Sequence, residues 1–348
     1  MYIAIFLVIL LAFIILAFFE DDETHGHTWL LVVVAVVLTM YVAFRPAGFD
    51  QDYYSYYAYF KSPTSVSATL IEPTFKLING LARLCGEPLI LFSTYALLSV
   101  PLKIYSIKRL SPYWYLSILV WFTHLFILQD MTQIRVAVAA GIFLFSIPYL
   151  ADGKKLKYTL LAIVAALFHY SALVFLPLLV FGNKPLTRFG KCALVVLPLL
   201  LYASPMVSVE IIEMIPIPVI QQKLQMYDEL MIYEGGIWAD INIFNLRAMV
   251  RLFAFFVLVW KYNFLAEKYP YMPILLKVFC YSICLYVGLS FLPPLAMRVE
   301  ELVSIIDCIL FPLLAVLVRP HWLGRLLVII YALGVFAADI LLYKLFNF

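Results

Sequence analysis

The sequence predicts an all-α, polytopic integral membrane protein with about 10–12 transmembrane helices, some of them re-entrant or broken. Three observations lead there. Hydrophobic residues make up 65% of the 348, charged residues only 13%, and mean hydropathy is +1.00; a soluble domain carries roughly 25% charged residues. Apolar runs long enough to cross a ~30 Å hydrocarbon core recur from end to end. Nothing between them could form a soluble domain of ~100 residues, so residues 1–348 read as one transmembrane domain.

The first span, 2–19, has no basic flank and ends in Glu20-Asp21-Asp22-Glu23 instead of a small-residue cleavage site. It reads as a retained helix, not a removable signal peptide. Further spans are expected at 28–44, 88–107, 112–128, 131–150, 190–204, 245–262, 272–292, 301–318 and 322–346. Residues 73–85 are too short and polar to cross, and read as an interfacial or re-entrant helix. Residues 156–181 are flanked by Lys154, Lys155 and Lys157 on one side and Lys184, Arg188 and Lys191 on the other. Basic residues at both ends favour a return to the starting side, as half-helices 157–168 and 171–181 turning at His169-Tyr170-Ser171. The alternative is one long tilted span, which would reverse everything after it.

Short loops 103–111, 151–157, 182–191, 261–277 and 319–325 hold more than half of the 24 basic residues and are assigned to the cytoplasm. Loop 20–27, without Lys or Arg, is an exception. Segments 45–72, 205–243 and the short turn 293–300 then face outside. The net charge of +3 serves topology, and no basic stripe is present, so no nucleic-acid partner is expected. The five cysteines lie in or beside apolar runs without Cys-x-x-Cys spacing, as small packing residues do. His25 and His27 beside four acids form a weak metal pattern, and no metal or cofactor is assigned.

A guanidinium keeps its proton at any ordinary pH. Within a bilayer-length helix it costs at least ~2.5–3.5 kcal/mol, so Arg135, inside 131–150, should face protein or water and have a task. Arg45, Arg247, Arg251 and Arg298 also fall at the outer ends of spans, and Arg247 and Arg251 share a helical face. Guanidiniums gathered at one depth suggest an anion site, because Arg pairs with carboxylate or phosphate through a planar fork. Snorkelling, or pairing with a nearby acid, is the structural alternative.

The acids on that side are Asp50, Asp52, Glu72, Glu300 and Glu301. Glu72, just before Pro73, suits a helix N-terminus, a role that competes with a catalytic one. His169 at a break in an apolar segment is a candidate general base, or it satisfies backbone groups freed by the break. Tyr53, Tyr54 and their neighbours suit an aromatic belt at the headgroup level or a platform for sugar rings.

These landmarks occur in a recognisable order: Arg45-Pro46-Ala47-Gly48-Phe49-Asp50 with Tyr54, then Glu72-Pro73-Thr74-Phe75 and Asn79. Ile134-Arg135 follows, opening a small-residue helix, and then Ala166-Leu167-Phe168-His169-Tyr170-Ser171-Ala172. Over roughly residues 40–180 the chain resembles the EpsG family of exopolysaccharide polymerases, relatives of the Wzy-type O-antigen polymerases. It departs from them in one place: the family often has Gln directly after the helix arginine, where this chain has Val136, with Gln133 preceding.

The resemblance implies an enzyme of the bacterial cytoplasmic membrane that joins oligosaccharide repeat units carried on a polyprenyl diphosphate. Its partners would be lipid-linked donor and acceptor, membrane lipids, and the flippase and chain-length regulator of the same pathway. On this reading Arg135, Arg45 and Arg298 face the diphosphate, and His169, Glu72 or Asp50 takes the hydroxyl proton. Gln133, Tyr53, Tyr54, Arg247 and Arg251 contact substrate. Two rival classes are a flippase, which would spread polar groups through the membrane depth, and a polysaccharide acyltransferase, which would need a cytoplasmic thioester entry path.

Overall fold

A computed structural model of the chain describes residues 1–20, 28–62, 71–203 and 241–341. The expected loop 205–243 and the His25/His27 pair fall largely or wholly outside the described residues. Those described form helices, with no extended β-strand among them. They pack as two compact units, one of Met1–Leu179 with Ile305–Phe348 and one of Val180–Ser304.

In the first unit, α1 (Tyr2–Phe19) carries no charge and ends at Glu20. The Glu20 carboxylate accepts the Tyr115 and Leu116 N–H groups at 3.0 and 2.9 Å, capping the start of α6 (Trp114–Phe122). Between them lie α2 (Thr28–Ala43), α3 (Tyr53–Lys61), α4 (Pro73–Leu84) and α5 (Pro88–Leu110). The expected short helix at 73–85 is α4. Gly86, at φ +74°, closes it: its N–H bonds the Arg83 carbonyl, and that of Glu87 bonds Ala82, a glycine-terminated C-cap. Pro88 then opens α5.

The expected span 112–128 is broken. After α6 the chain winds Phe126–Thr132 as a π-helix, and α7 (Ile134–Ala151) starts only at Ile134. Lys103 explains part of that break and corrects an assignment, since it was placed in a cytoplasmic loop. It is instead fully buried within α5, with Nζ 2.7 Å from Asp130 Oδ2 and 3.2 Å from Gln129 Oε1 on the π-helix. Its stem passes Gly141 of α7, where an added Cβ would lie 3.5 Å from Lys103 Cγ. Small residues let α5 and α7 approach this closely.

Helix α8 (Lys155–Phe168) and the 3₁₀ segment Tyr170–Val180 form the expected hairpin. His169 between them is extended, at φ −154° and ψ 116°. The Tyr158 hydroxyl donates to the Phe175 carbonyl at 2.8 Å. In a straight helix those residues would stand about 25 Å apart, so the chain doubles back.

The second unit contains α9 (Arg188–Ala203), α10 (Leu246–Trp260), α11 (Tyr262–Lys268), α12 (Met272–Gly288) and α13 (Pro293–Val303). Asn245 caps α10 by accepting the Ala248 N–H at 3.0 Å. Residues 293–300 are therefore no turn: Pro293 and Pro294 occupy the first turn of a helix, where a missing N–H costs nothing. The expected span 301–318 is likewise divided, into the end of α13, a 3₁₀ turn at Ser304–Ile306, and α14 (Asp307–Ala315) back in the first unit. Helix α15 (His321–Leu341) closes the described chain, with Gly324 against the Ala315 backbone, where no Cβ fits.

Among the described residues α1, α5, α7 and α15 are long and apolar enough to cross a bilayer, and α10 with α11, bent by 75°, forms a broken span or a re-entrant loop. Helices α2 and α12 are shorter apolar pieces. The protein is an all-α, multi-pass membrane protein in which breaks and half-helices are frequent.

Candidate active site

The centre is built on Glu72. Pro73 presets the first helical φ and has no N–H to satisfy, so extended Glu72 (φ −62°, ψ 146°) leads directly into α4. Its carboxylate lies at the positive end of that helix. Thr74 Oγ1 donates to the Leu167 carbonyl at 2.7 Å, tying the start of α4 to the end of α8.

Three helix ends therefore meet. Glu72, with a fully buried side chain, accepts from Arg135 Nη1 through Oε2. Its Oε1 lies 3.2 Å from His169 Nδ1 and 3.4 Å from the Tyr170 N–H. One carboxylate bridges a guanidinium and an imidazole.

Arg135 is not deep in a span, as expected, but in the first turn of α7. The π-helix consumes the residues before it, its wide turns closed by Gln133 N–H to Leu128 O at 3.0 Å and Thr132 Oγ1 to Ile127 O at 3.0 Å. Such turns recur at functional sites. A guanidinium at a helix N-terminus adds its charge to the dipole and the unbonded N–H groups there, a combination that favours anions. Gln133 itself is the residue between the π-helix and α7. The Arg135 side chain keeps 27% of its surface exposed, and its Nε has no hydrogen-bond partner. Its guanidinium lies 5.4 Å from the Phe75 ring centre and 5.9 Å from that of Tyr56, whose hydroxyl also bonds it. Tyr56 was not singled out in the sequence; a run of tyrosines gives no sign of which one turns inward.

Arg45 and Asp50 engage each other. Arg45 Nε lies 2.7 Å from Asp50 Oδ2 with both side chains fully buried, and its Nη1 donates to Val42 O at 3.2 Å. Asp50 Oδ1 accepts the Asp52 N–H at 3.1 Å. Burial pushes the Asp50 carboxyl above its usual range, against the lowering pull of Arg45. The guanidinium is 4.3 Å from the Phe92 ring centre, and Tyr53 stacks on the same ring at 4.9 Å. Gly48 has φ +74°, and a Cβ there would lie 2.7 Å from the Tyr54 ring. The segment is a folded clasp, with Tyr54 on its exposed side.

In the second unit Arg251 donates to Glu300 Oε1 through Nη1 and to Ser282 Oγ at 2.9 Å through Nη2. Arg247 Nη2 stands 3.9 Å from the same Glu300 oxygen with 28% of its side chain exposed. The two arginines do share a helical face, and a carboxylate binds them there. Arg298 lies on α13, half-buried.

Comparison with curated proteins and with solved structures gave no match to this chain. The arginine–glutamate–histidine centre, the clasp at Arg45–Asp50 and the hairpin at His169 all lie within residues 28–347, which match the model of the EpsG family. That match takes in nearly the whole chain, so the protein belongs to the EpsG family, with a role of the exopolysaccharide-polymerase type.

Proposed function

We propose that the chain polymerises polyprenyl-diphosphate-linked oligosaccharide repeat units by glycosyl transfer at the outer face of the bacterial cytoplasmic membrane. The observation that carries this reading is the Glu72 carboxylate bridging Arg135 and His169. In the reaction an acceptor sugar hydroxyl attacks the anomeric carbon of the lipid-linked donor. The bond from that carbon to the phosphate oxygen breaks, and the lipid diphosphate leaves with the bonding pair. The hydroxyl proton has to go to a base.

His169 is the base in this proposal. A carboxylate beside Nδ1 favours the tautomer that carries its proton there, so Nε2 accepts, and it stabilises the imidazolium that forms. Glu72 is a positioning residue, since both its oxygens are occupied by protein groups. Arg135 takes the charge that develops on the leaving diphosphate. Nη1 is committed to Glu72, and the side chain still reaches the surface, where the rest of the guanidinium is offered to phosphate oxygens.

Asp50 is not used as a base, because Arg45 and the Asp52 N–H occupy it, and Arg45 holds the clasp in place of the diphosphate. Tyr53, Tyr54 and Gln133 in the first unit, and Arg247 and Arg298 in the second, keep their proposed contacts with glycan or phosphate, whereas buried Arg251 is held by Glu300 and Ser282. A flippase and a chain-length regulator remain the proposed partners.

The test uses purified protein in nanodiscs with a synthetic polyprenyl-diphosphate repeat unit. A ladder of longer glycans on one lipid supports the reading. Unchanged glycan length with movement between leaflets would make the protein a flippase, and acyl gain from a thioester donor an acyltransferase.

A further inference from the structure

A recess of about 220 Å³ opens on α4, lined by Tyr59, Phe75, Lys76, Asn79, Gly80 and Arg83 together with Ile71. That equals the liquid volume of about seven waters, room for one substituted sugar ring. Lys76, Gly80 and Arg83 follow at helical spacing along one face of α4. Neither cation makes an ion pair among the described residues. A Cβ added at Gly80 would meet nothing within 4 Å, so the floor between the two cations is open.

Asn79 points to a ligand. It is 5% exposed, its Nδ2 donates to the Tyr59 carbonyl at 3.2 Å, and its Oδ1 has no hydrogen-bond partner. A buried acceptor left unsatisfied is costly, and what it lacks is a donor such as a hydroxyl. Tyr59 and Phe75 supply aromatic surface, and Lys76 and Arg83 call for an anion.

We propose that this recess is a subsite for an acidic sugar, a pyranose bearing a carboxylate, next to the reacting centre. A hydroxyl of the ring satisfies Asn79 Oδ1, the carboxylate meets Lys76 and Arg83, and the ring lies against Tyr59 and Phe75. A phospholipid with a glycerol headgroup matches the cations and can offer Asn79 a hydroxyl, but it has no ring for the aromatic wall. Leu77, Leu81 and Leu84 on another face of α4 are exposed, as for a helix resting in lipid, which sets the recess at headgroup depth. Phe75 also lies under the Arg135 guanidinium. The recess therefore shares a wall with the proposed catalytic centre, and a neighbouring ring of the same glycan would occupy it. This inference rests on the glycan-polymerising reading for the identity of the ligand, but its test does not need turnover.

Saturation-transfer NMR on the full chain in phosphatidylcholine nanodiscs is the experiment, with methyl glucuronide, methyl glucoside and glycerol phosphate as probes. The glucuronide should bind saturably, and the glucoside should bind about tenfold more weakly or worse. Lys76→Gln with Arg83→Gln, and separately Asn79→Leu, should each weaken glucuronide about tenfold or more. Gly80→Leu places a side chain on the open floor and should abolish binding.

Equal binding of glucuronide and glucoside, or glucuronide binding untouched by these variants, overturns the subsite. Tighter binding of glycerol phosphate also overturns it and makes the recess a lipid-headgroup site. Glucuronide binding by a protein that forms no polymer would sink the polymerase reading alone. Polymerisation with binding insensitive to the variants would sink the subsite alone.

Discussion

Two guanidinium–carboxylate pairs lie near tyrosines of helix α3, and they differ in one respect. Arg45–Asp50 is closed: both side chains are fully buried, an aromatic ring covers the guanidinium, and the partner carboxylate also holds the backbone N–H of Asp52, two residues on in the same loop. Arg135–Glu72 is open: the carboxylate is buried, but the arginine side chain keeps 27% exposure and the second carboxylate oxygen faces an imidazole. The first pair joins residues five apart and fixes a loop. The second joins residues 63 apart and gathers three helix ends. Both arginines look equally anomalous as charges in an apolar sequence. What separates structure from function is whether the charge can still be reached, and whether its partner serves a third group.

Variants can break that contrast at its strongest point first. Arg135→Ala removes the proposed stabiliser of the leaving group and should cut polymerisation by about 10²–10³-fold, the loss typical of one oriented donor. Measured on folded, purified protein, a loss of a few-fold would move Arg135 into the same class as Arg45. His169→Gln should cost about 10² or more, as expected for a general base, and full activity there would return the proton to another group. Glu72→Gln keeps the shape of the bridge but weakens its hold on both partners, and about 10–100-fold is expected, as for residues that orient catalytic groups.

The closed pair should respond in the opposite way. Arg45→Met strands the Asp50 carboxylate and should destabilise by about 3–5 kcal/mol, read as lower protein level and thermal stability. The double variant Arg45→Met with Asp50→Leu should recover most of that stability, since apolar replacement of a buried pair is often neutral. Activity per folded molecule should change little in both. Gly48→Ala is the smallest expected effect, about 1–2 kcal/mol for the left-handed backbone, with Tyr54 displaced from the clasp.

Much of this centre was legible in the sequence because its residues are punctuated locally. Pro73 marks the helix start that holds Glu72, and lysines on both sides of 156–181 signal a chain that doubles back at His169. Lys103 was not legible. It sits near the end of an apolar run, where a lysine ordinarily belongs to a loop, and its partner Asp130 is 27 residues away. Only packing reveals that pair, and the π-helix it anchors is what brings Arg135 to the first turn of α7. Segment 293–300 was expected as a short turn because it falls between two spans, yet Pro293 and Pro294 fit the first turn of a helix. The inward tyrosine, Tyr56, and the shared carboxylate at Glu300 are likewise products of tertiary packing, with no periodic mark.

The central claim is that Arg135 acts on the lipid-linked diphosphate. Its most direct test is Arg135→Ala expressed in cells at the level of the unaltered protein, with lipid-linked glycans resolved by length. The account predicts that single repeat units on the lipid accumulate and long polymer disappears. Normal-length polymer from that variant would contradict it.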